Sequence, residues 1–383
     1  MNVMTNPKRE NAMRVKPNPI DKRAQGYRVV DTDFHFLPEW NELRKYMKEP
    51  FKSVAKSYPP VGGDYGPAYA LDLEGTGQET QGRARTAADI LRVLDEIGVE
   101  TVIIVPGFQR PQSMFNQSLL SETCRAYNDM LINEVIPVSP RIKCEIMINH
   151  RNPADGAAEI RRVGGNKGFV SVFTEFGGNY EPIGTAKHDP IYDAAIEYDL
   201  AVTSHIGSFW QQFTPMHQGA RTWTELFGIS TLGIGMSYIA SMIMQGLFDK
   251  YPDLRIVLKE GGYWWMPEFQ ARIDDFYLNH PGDIKLTERL LESGEKFLRK
   301  MPSEYIWSNV RFASQPMCIP KNIEHFKMLM EMCRGEDMLL YSSDWPHATF
   351  DPLNWVFEKP ISEEGRKKIL GDNARAWFKR LND

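Results

Sequence analysis

Four short stretches end in side chains that can hold a cation or move a proton. "VVDTDFHF" carries Asp33 and His35, "AVTSHIG" carries His205, "IVLKEGG" carries Glu260, and "LLYSSDWPH" carries Asp344 and His347. Each closes an apolar, β-branched run, the position where a buried strand would end. Taken singly, each has a plain structural explanation: a lone histidine at a strand end is usually hydrogen-bonded in place, and acidic residues suit a solvated strand end. Five groups on four strand ends, Asp33, His35, His205, Glu260 and Asp344, are harder to attribute to solvation and point to a divalent metal site.

The elements that must position them follow from the pattern. Brief runs rich in Val, Ile, Leu and aromatics, as strands buried on both faces should be, occur at 27–31, 100–106, 142–148, 168–173, 200–205, 254–260, 306–312 and 337–344. Between them lie helical patterns, including 86–98, ending at Gly98, and 152–165, with an acidic start and basic end. Helices are also expected at 189–199 and 371–381. Eight strands alternating with helices predict an α/β fold, a distorted (β/α)8 TIM barrel, with chemistry at the C-terminal mouth. No G-x-G-x-x-G follows the first strand, which counts against a dinucleotide-binding sheet. Residues two apart in a strand share a face, so Asp33 and His35 should face the mouth, with Asp31 one step deeper. Long insertions after strands one (37–84) and five (206–233) are candidates for a lid or pocket wall.

Composition narrows the function classes. A net charge of −5 without a dominant basic block gives no electrostatic case for nucleic acid or for an anionic membrane. The only basic concentration, Lys8 to Arg23, reads as part of an N-terminal arm (1–26) preceding a single barrel domain (27–383). Cys124, Cys144, Cys318 and Cys333 lack metal-binding spacing and read as reduced thiols. Neither a signal-peptide core nor a membrane-length apolar run is visible, so a cytoplasmic protein is expected.

The motifs resemble those of the amidohydrolase superfamily, in the branch similar to aminocarboxymuconate semialdehyde decarboxylase. "VVDTDFHF" is similar to its strand-one D-x-H-x-H motif, "HIG" to its strand-five ligand, "EGGYWWMPEFQARID" to its strand-six segment and "YSSDWPH" to its strand-eight signature. "ILGDNARAWF" resembles the family's I-L-x-x-N-A-x-x-x-F ending. Two departures stand out: Asp33 occupies the place of the usual first histidine, and Glu260 a place that is frequently histidine in the decarboxylases.

The resemblance implies Asp33, His35, His205, Glu260 and Asp344 as metal ligands, with Glu79 (or Glu74) a candidate for a further carboxylate. His205, Glu260 and Asp344 are the candidate catalytic groups. Asp31, His150 and His347 are expected to support them from behind, since a metal-bound histidine usually has an acceptor on its other nitrogen. Aromatic residues beside the ligands (Phe209, Trp210, Tyr263, Trp264, Trp265) suit either pocket walls or core packing. An oxygen-rich set with two histidines favours iron or manganese over zinc. Members resembling this pattern include oxygen-activating enzymes with dinuclear iron or iron–manganese centres, similar to 2-aminoisobutyric acid hydroxylase. The preferred expectation is therefore an O2-dependent hydroxylase of a small amino or carboxylic acid holding two ions. It would be oligomeric, and a related second subunit is implied if this is the large subunit. The alternative is a mononuclear decarboxylase or hydrolase of a carboxylic acid, with zinc the alternative metal, and a non-catalytic scaffold subunit comes last.

Overall fold

The computed structural model of the chain describes residues 22–36, 38–56, 84–106, 116–176, 181–206, 221–222, 224–347 and 349–382. Eight parallel strands follow one another in sequence order: β1 Val30–Phe36, β2 Thr101–Pro106, β3 Ile142–Met147, β4 Phe169–Phe176, β5 Ala201–Ile206, β6 Ile256–Lys259, β7 Val310–Ala313 and β8 Leu339–Leu340. The segment after β8 meets β1 and completes the ring. Thr32 N–H donates to Tyr341 O at 3.0 Å, Asp344 N–H to Asp33 O at 2.9 Å and His35 N–H to Trp345 O at 2.8 Å. The fold is the expected (β/α)8 barrel, nearly closed, with the segment after β8 bonded to β1 in place of a full ladder.

Local chemistry sets the helices that wrap the ring. Ala87–Ile97 starts at a capping box in which Thr86 Oγ1 accepts from Asp89 N–H and Asp89 Oδ2 accepts from Thr86 N–H. It ends at Gly98 with φ 76°, a left-handed stop that glycine adopts without a Cβ clash. Gln117–Met130 is capped by Asn116, and its buried Asn128 fixes the end of β3 by bonding both Met147 N–H and Met147 O at 2.9 Å. No helix among the described residues is long and apolar enough to cross a membrane.

The barrel floor is apolar. Val30, Ile103, Val170, Ala201, Val257 and Leu340, one from each of six strands, pack together under Ala374, Trp377 and Phe378 of the C-terminal segment. Burying these side chains contributes about 1.5–3 kcal/mol for each large one.

Three expectations need correcting. Residues 306–309 are helical rather than strand, because Pro302–Asn309 forms a helix whose entry is tied by Glu304 Oε2 to Met301 N–H. β8 spans only two residues, and 341–344 is an irregular segment held by β1. β1 itself is not a regular strand. Asp31 stands opposite Val102 and Phe34 opposite Ile104, so Thr32 and Asp33 together face the single Ile103. That extra residue inverts the phase: Val30 packs on the barrel floor, whereas Phe34, four residues later, packs in the outer core. Asp33 and His35 consequently turn to the mouth, and Asp31 does not share their face.

Of the expected N-terminal arm, residues 1–21 lie outside the described residues; Lys22–Ala24 forms a short helical turn with Ala24 buried. Glu74, Glu79, Phe209 and Trp210 also lie outside them.

Candidate metal centre

The strand ends bring Asp33, His35, His205, Glu260 and Asp344 together at the mouth, all of them buried. His35 Nε2 lies 3.4 Å from Asp33 Oδ1 and 3.2 Å from Asp344 Oδ1. His205 Nε2 lies 3.5 Å from Asp33 Oδ2 and 3.7 Å from Glu260 Oε2. The two imidazoles meet edge to face, with ring centres 5.1 Å apart. Two overlapping groups have all their donor atoms within 4.8 Å of one another: Asp33 with His35 and His205, and His35 with Asp344 and His347. Glu260 belongs to neither, although its Oε2 approaches His205 Nε2.

Backbone geometry helps aim the carboxylates. Glu260 and Asp344 are non-glycine residues in the left-handed region, at φ 52° and 57°. That conformation costs on the order of 1 kcal/mol or more and is typically retained where it directs a functional side chain.

Neighbouring groups fix each ligand's orientation. His205 Nδ1 is 2.6 Å from Ile206 O; a carbonyl can only accept, so Nδ1 carries the proton and Nε2 points inward. Asp344 Oδ2 accepts from Gln315 Nε2 at 2.9 Å and Thr349 Oγ1 at 2.6 Å, while Oδ1 faces His347 Nδ1 at 2.5 Å. Asp31 supports the backbone instead of a histidine: it accepts from the N–H groups of Asp33 (3.1 Å) and Ser343 (3.0 Å) and from Ser343 Oγ (2.6 Å). His150 is buried just past β3. Tyr263 and Trp265 pack into the core, the former with its hydroxyl 3.3 Å from Met330 Sδ.

The electrostatics show what is missing. Burial, then Asp344 and Asp33, hold the Glu260 carboxyl well above its usual range. Burial also opposes charge on Asp33 and His205, but each outweighs that cost for the other, so Asp33 is lowered and His205 raised. Burial and the nearby His347 push His35 down to about 4. Burial pushes Asp31 up to about 7. Both oxygens of Asp33, both of Glu260 and His35 Nε2 are buried without a hydrogen bond. Buried carboxylates left in this state are costly, and a divalent cation between them would offset that cost. Mixed oxygen and imidazole donors, with outer partners already in place, fit such an ion.

Some supporting residues escaped the sequence reading. Lys259 and Glu145 form a fully buried ion pair (3.1 Å) inside the barrel, and Gln315 and Thr349 hold Asp344. The available signal was a charged residue interrupting an apolar strand run, "RIVLKE" and "IKCEIMI".

The amidohydrolase family model matches residues 30–380. The chain belongs to the amidohydrolase family. Curated relatives of this amidohydrolase-family chain include the gamma-resorcylate decarboxylase of Polaromonas sp. strain JS666, 26% identical over 76% of this chain and 86% of that protein. Another is the gamma-resorcylate decarboxylase of a Rhizobium species, 24% identical over 76% and 86%. Among solved structures, 5-carboxyvanillate decarboxylase of Novosphingobium aromaticivorans, in complex with manganese and a nitrobenzoic acid, superposes with a TM-score of 0.70 at 20% identity, covering 95% of this chain and 99% of that one. These findings overturn the expected O2-dependent hydroxylase: the relatives are decarboxylases, and nothing in them supports O2, iron or a related second subunit. The physical reason is that a hard, oxygen-rich ligand set selects an ion by charge and size and leaves the reaction open.

Proposed function

We propose that this protein is a metal-dependent decarboxylase of a small aromatic carboxylic acid, working with one divalent ion, manganese being the favoured metal. The observation that carries the reading is the buried cluster of Asp33, His35, His205, Glu260 and Asp344, with the oxygens of Asp33 and Glu260 lacking hydrogen bonds. The decarboxylase relatives support the reaction class.

Asp33, His35, His205 and Asp344 would hold the ion. Bound there, it supplies a Lewis acid that grips the substrate's carboxylate and steadies negative charge. His205 is pre-set for this by its Nδ1 contact with Ile206 O, and Asp344 by Gln315 and Thr349. Glu260 sits outside the tight donor groups, and burial, then Asp344 and Asp33, hold its carboxyl above the usual range in the metal-free chain, so it is the group assigned to deliver a proton. The bond between the ring carbon and the carboxylate carbon breaks, its electron pair remains on the ring carbon, and that carbon takes the Glu260 proton as CO2 leaves.

The test is CO2 release from 2,6-dihydroxybenzoate, 5-carboxyvanillate and related hydroxybenzoates by manganese-loaded protein. Turnover of at least one, abolished by chelator and restored by manganese, is expected. Glu260→Gln should retain manganese while losing turnover. Failure of the loaded enzyme on every aromatic acid sinks the reading.

A further inference from the structure

Directly beneath these ligands the barrel interior is charged rather than apolar. Lys259, the last residue of β6, is fully buried and reaches across to β1, where its ammonium donates to Thr32 O. It also lies 3.1 Å from Glu145 Oε1 of β3, which accepts in addition from Ser171 Oγ of β4 at 3.0 Å. A buried ion pair is weak evidence of stabilisation, because desolvating two charges offsets much of their attraction. Apolar side chains of similar volume would fill this layer of a barrel at least as well.

The partner at Thr32 offers a reason for the charge. Thr32 and Asp33 are the two β1 residues opposite Ile103, and this irregularity is what turns Asp33 and His35 inward. On one side, Thr32 is held by the segment after β8, since its N–H and Oγ1 both donate to Tyr341 O at 3.0 and 2.9 Å. From across the barrel, its carbonyl is held by Lys259. Glu145, steadied by Ser171, fixes where the ammonium sits. We infer that Lys259 is a positioning residue for the metal centre: it straps the β1 bulge so that Asp33 and His35 present their donor atoms to one ion. The inference rests on the metal-site reading above, but it assigns a function to a residue that touches neither ion nor substrate.

Without Lys259, β1 would have a route back to regular pairing, and a one-residue slip moves every following side chain to the opposite face. The effect should therefore appear in metal binding before it appears in folding.

The experiment titrates the metal-free full-length chain with Mn2+, following free and bound ion by electron paramagnetic resonance. Circular dichroism and melting without metal serve as the folding control. Lys259→Met should weaken Mn2+ binding about 10–100-fold, the range found when outer partners of metal ligands are removed. Because that variant strands Glu145, Lys259→Met/Glu145→Met removes both charges; it should fold and melt near the wild type yet bind Mn2+ as weakly, with an altered spectrum of the bound ion. A folded double variant with wild-type affinity and spectrum overturns the strap while leaving the metal site intact. A wild type that binds no Mn2+ overturns the metal reading, and the strap with it.

Discussion

The floor and the mouth of this barrel are built from the same strands by opposite rules. At the floor, six strands each contribute one apolar residue, and Trp377 and Phe378 cover the layer. At the mouth, the continuations of these strands place three carboxylates and two imidazoles out of contact with water, two of the carboxylates on left-handed backbone. Folding physics alone accounts for the floor, where apolar side chains gain by packing against one another. The mouth breaks several folding rules at once, and such concentrated violations are expected where a site awaits something the chain does not contain.

The sharpest way to break this contrast is to delete ligands at the mouth. Asp33→Ala and His205→Ala should each lower Mn2+ affinity roughly 1,000-fold, since one of about four ligands carries a corresponding share of the binding free energy. The metal-free melting temperature should fall modestly, because each variant leaves the other member of the buried Asp33–His205 pair without its partner. A large loss of metal-free stability with Mn2+ binding intact would mean the cluster is structural. Trp377→Ala probes the other end. It removes a buried ring over which the Arg311 guanidinium sits at 4.1 Å, and should cost about 3 kcal/mol in chemical denaturation. Its Mn2+ affinity should stay within about twofold of wild type; a larger change would show the two ends to be coupled.

What the sequence revealed follows the same division. A polar residue closing an apolar run is a local signal, so the strand ends carrying Asp33, His205, Glu260 and Asp344 were legible without coordinates. The eight-strand alternation was legible for the same reason. The β1 bulge was not, because register is a relation between strands and leaves no mark within one. Asp31 was accordingly placed on the wrong face. Nor was the pairing of Lys259 with Glu145, which lie 114 positions apart. The helix through Ile306 was missed because β-branched and aromatic content outweighed the entry signal at Pro302 and Glu304. The reaction was misjudged on different grounds: ligand hardness constrains the ion and is silent about the bond to be broken.

Proton linkage gives a gentler probe of the mouth. In the metal-free protein Asp33 holds the His205 imidazole above its usual value, although burial opposes it, and a bound cation requires that imidazole neutral. Mn2+ binding should therefore release a proton. Affinity should fall about tenfold per pH unit on acidification below the raised His205 value, measured by titration between pH 6 and 8. A flat profile would mean that the Asp33–His205 pair is not where the ion sits.

The smallest effect concerns a histidine that follows the rules of the floor while lying in the connection after β4. His188 is buried, with Nδ1 2.9 Å from Thr185 Oγ1, and burial pushes it down to about 4 from 6.5. A depressed imidazole remains neutral in the folded chain while the unfolded chain takes up a proton below about 6.5. Stability is thus fully present above that value and declines as pH falls towards 4, by at most about 3 kcal/mol and less where water enters. His188→Asn removes the titration and should flatten the acid limb of the metal-free denaturation midpoint between pH 6.5 and 4. Mn2+ affinity at pH 8 should stay the same, because His188 is satisfied by its own loop. If the variant instead weakens Mn2+ binding, the connection after β4 belongs to the mouth, and the boundary between the two regimes must be drawn further from the ligands.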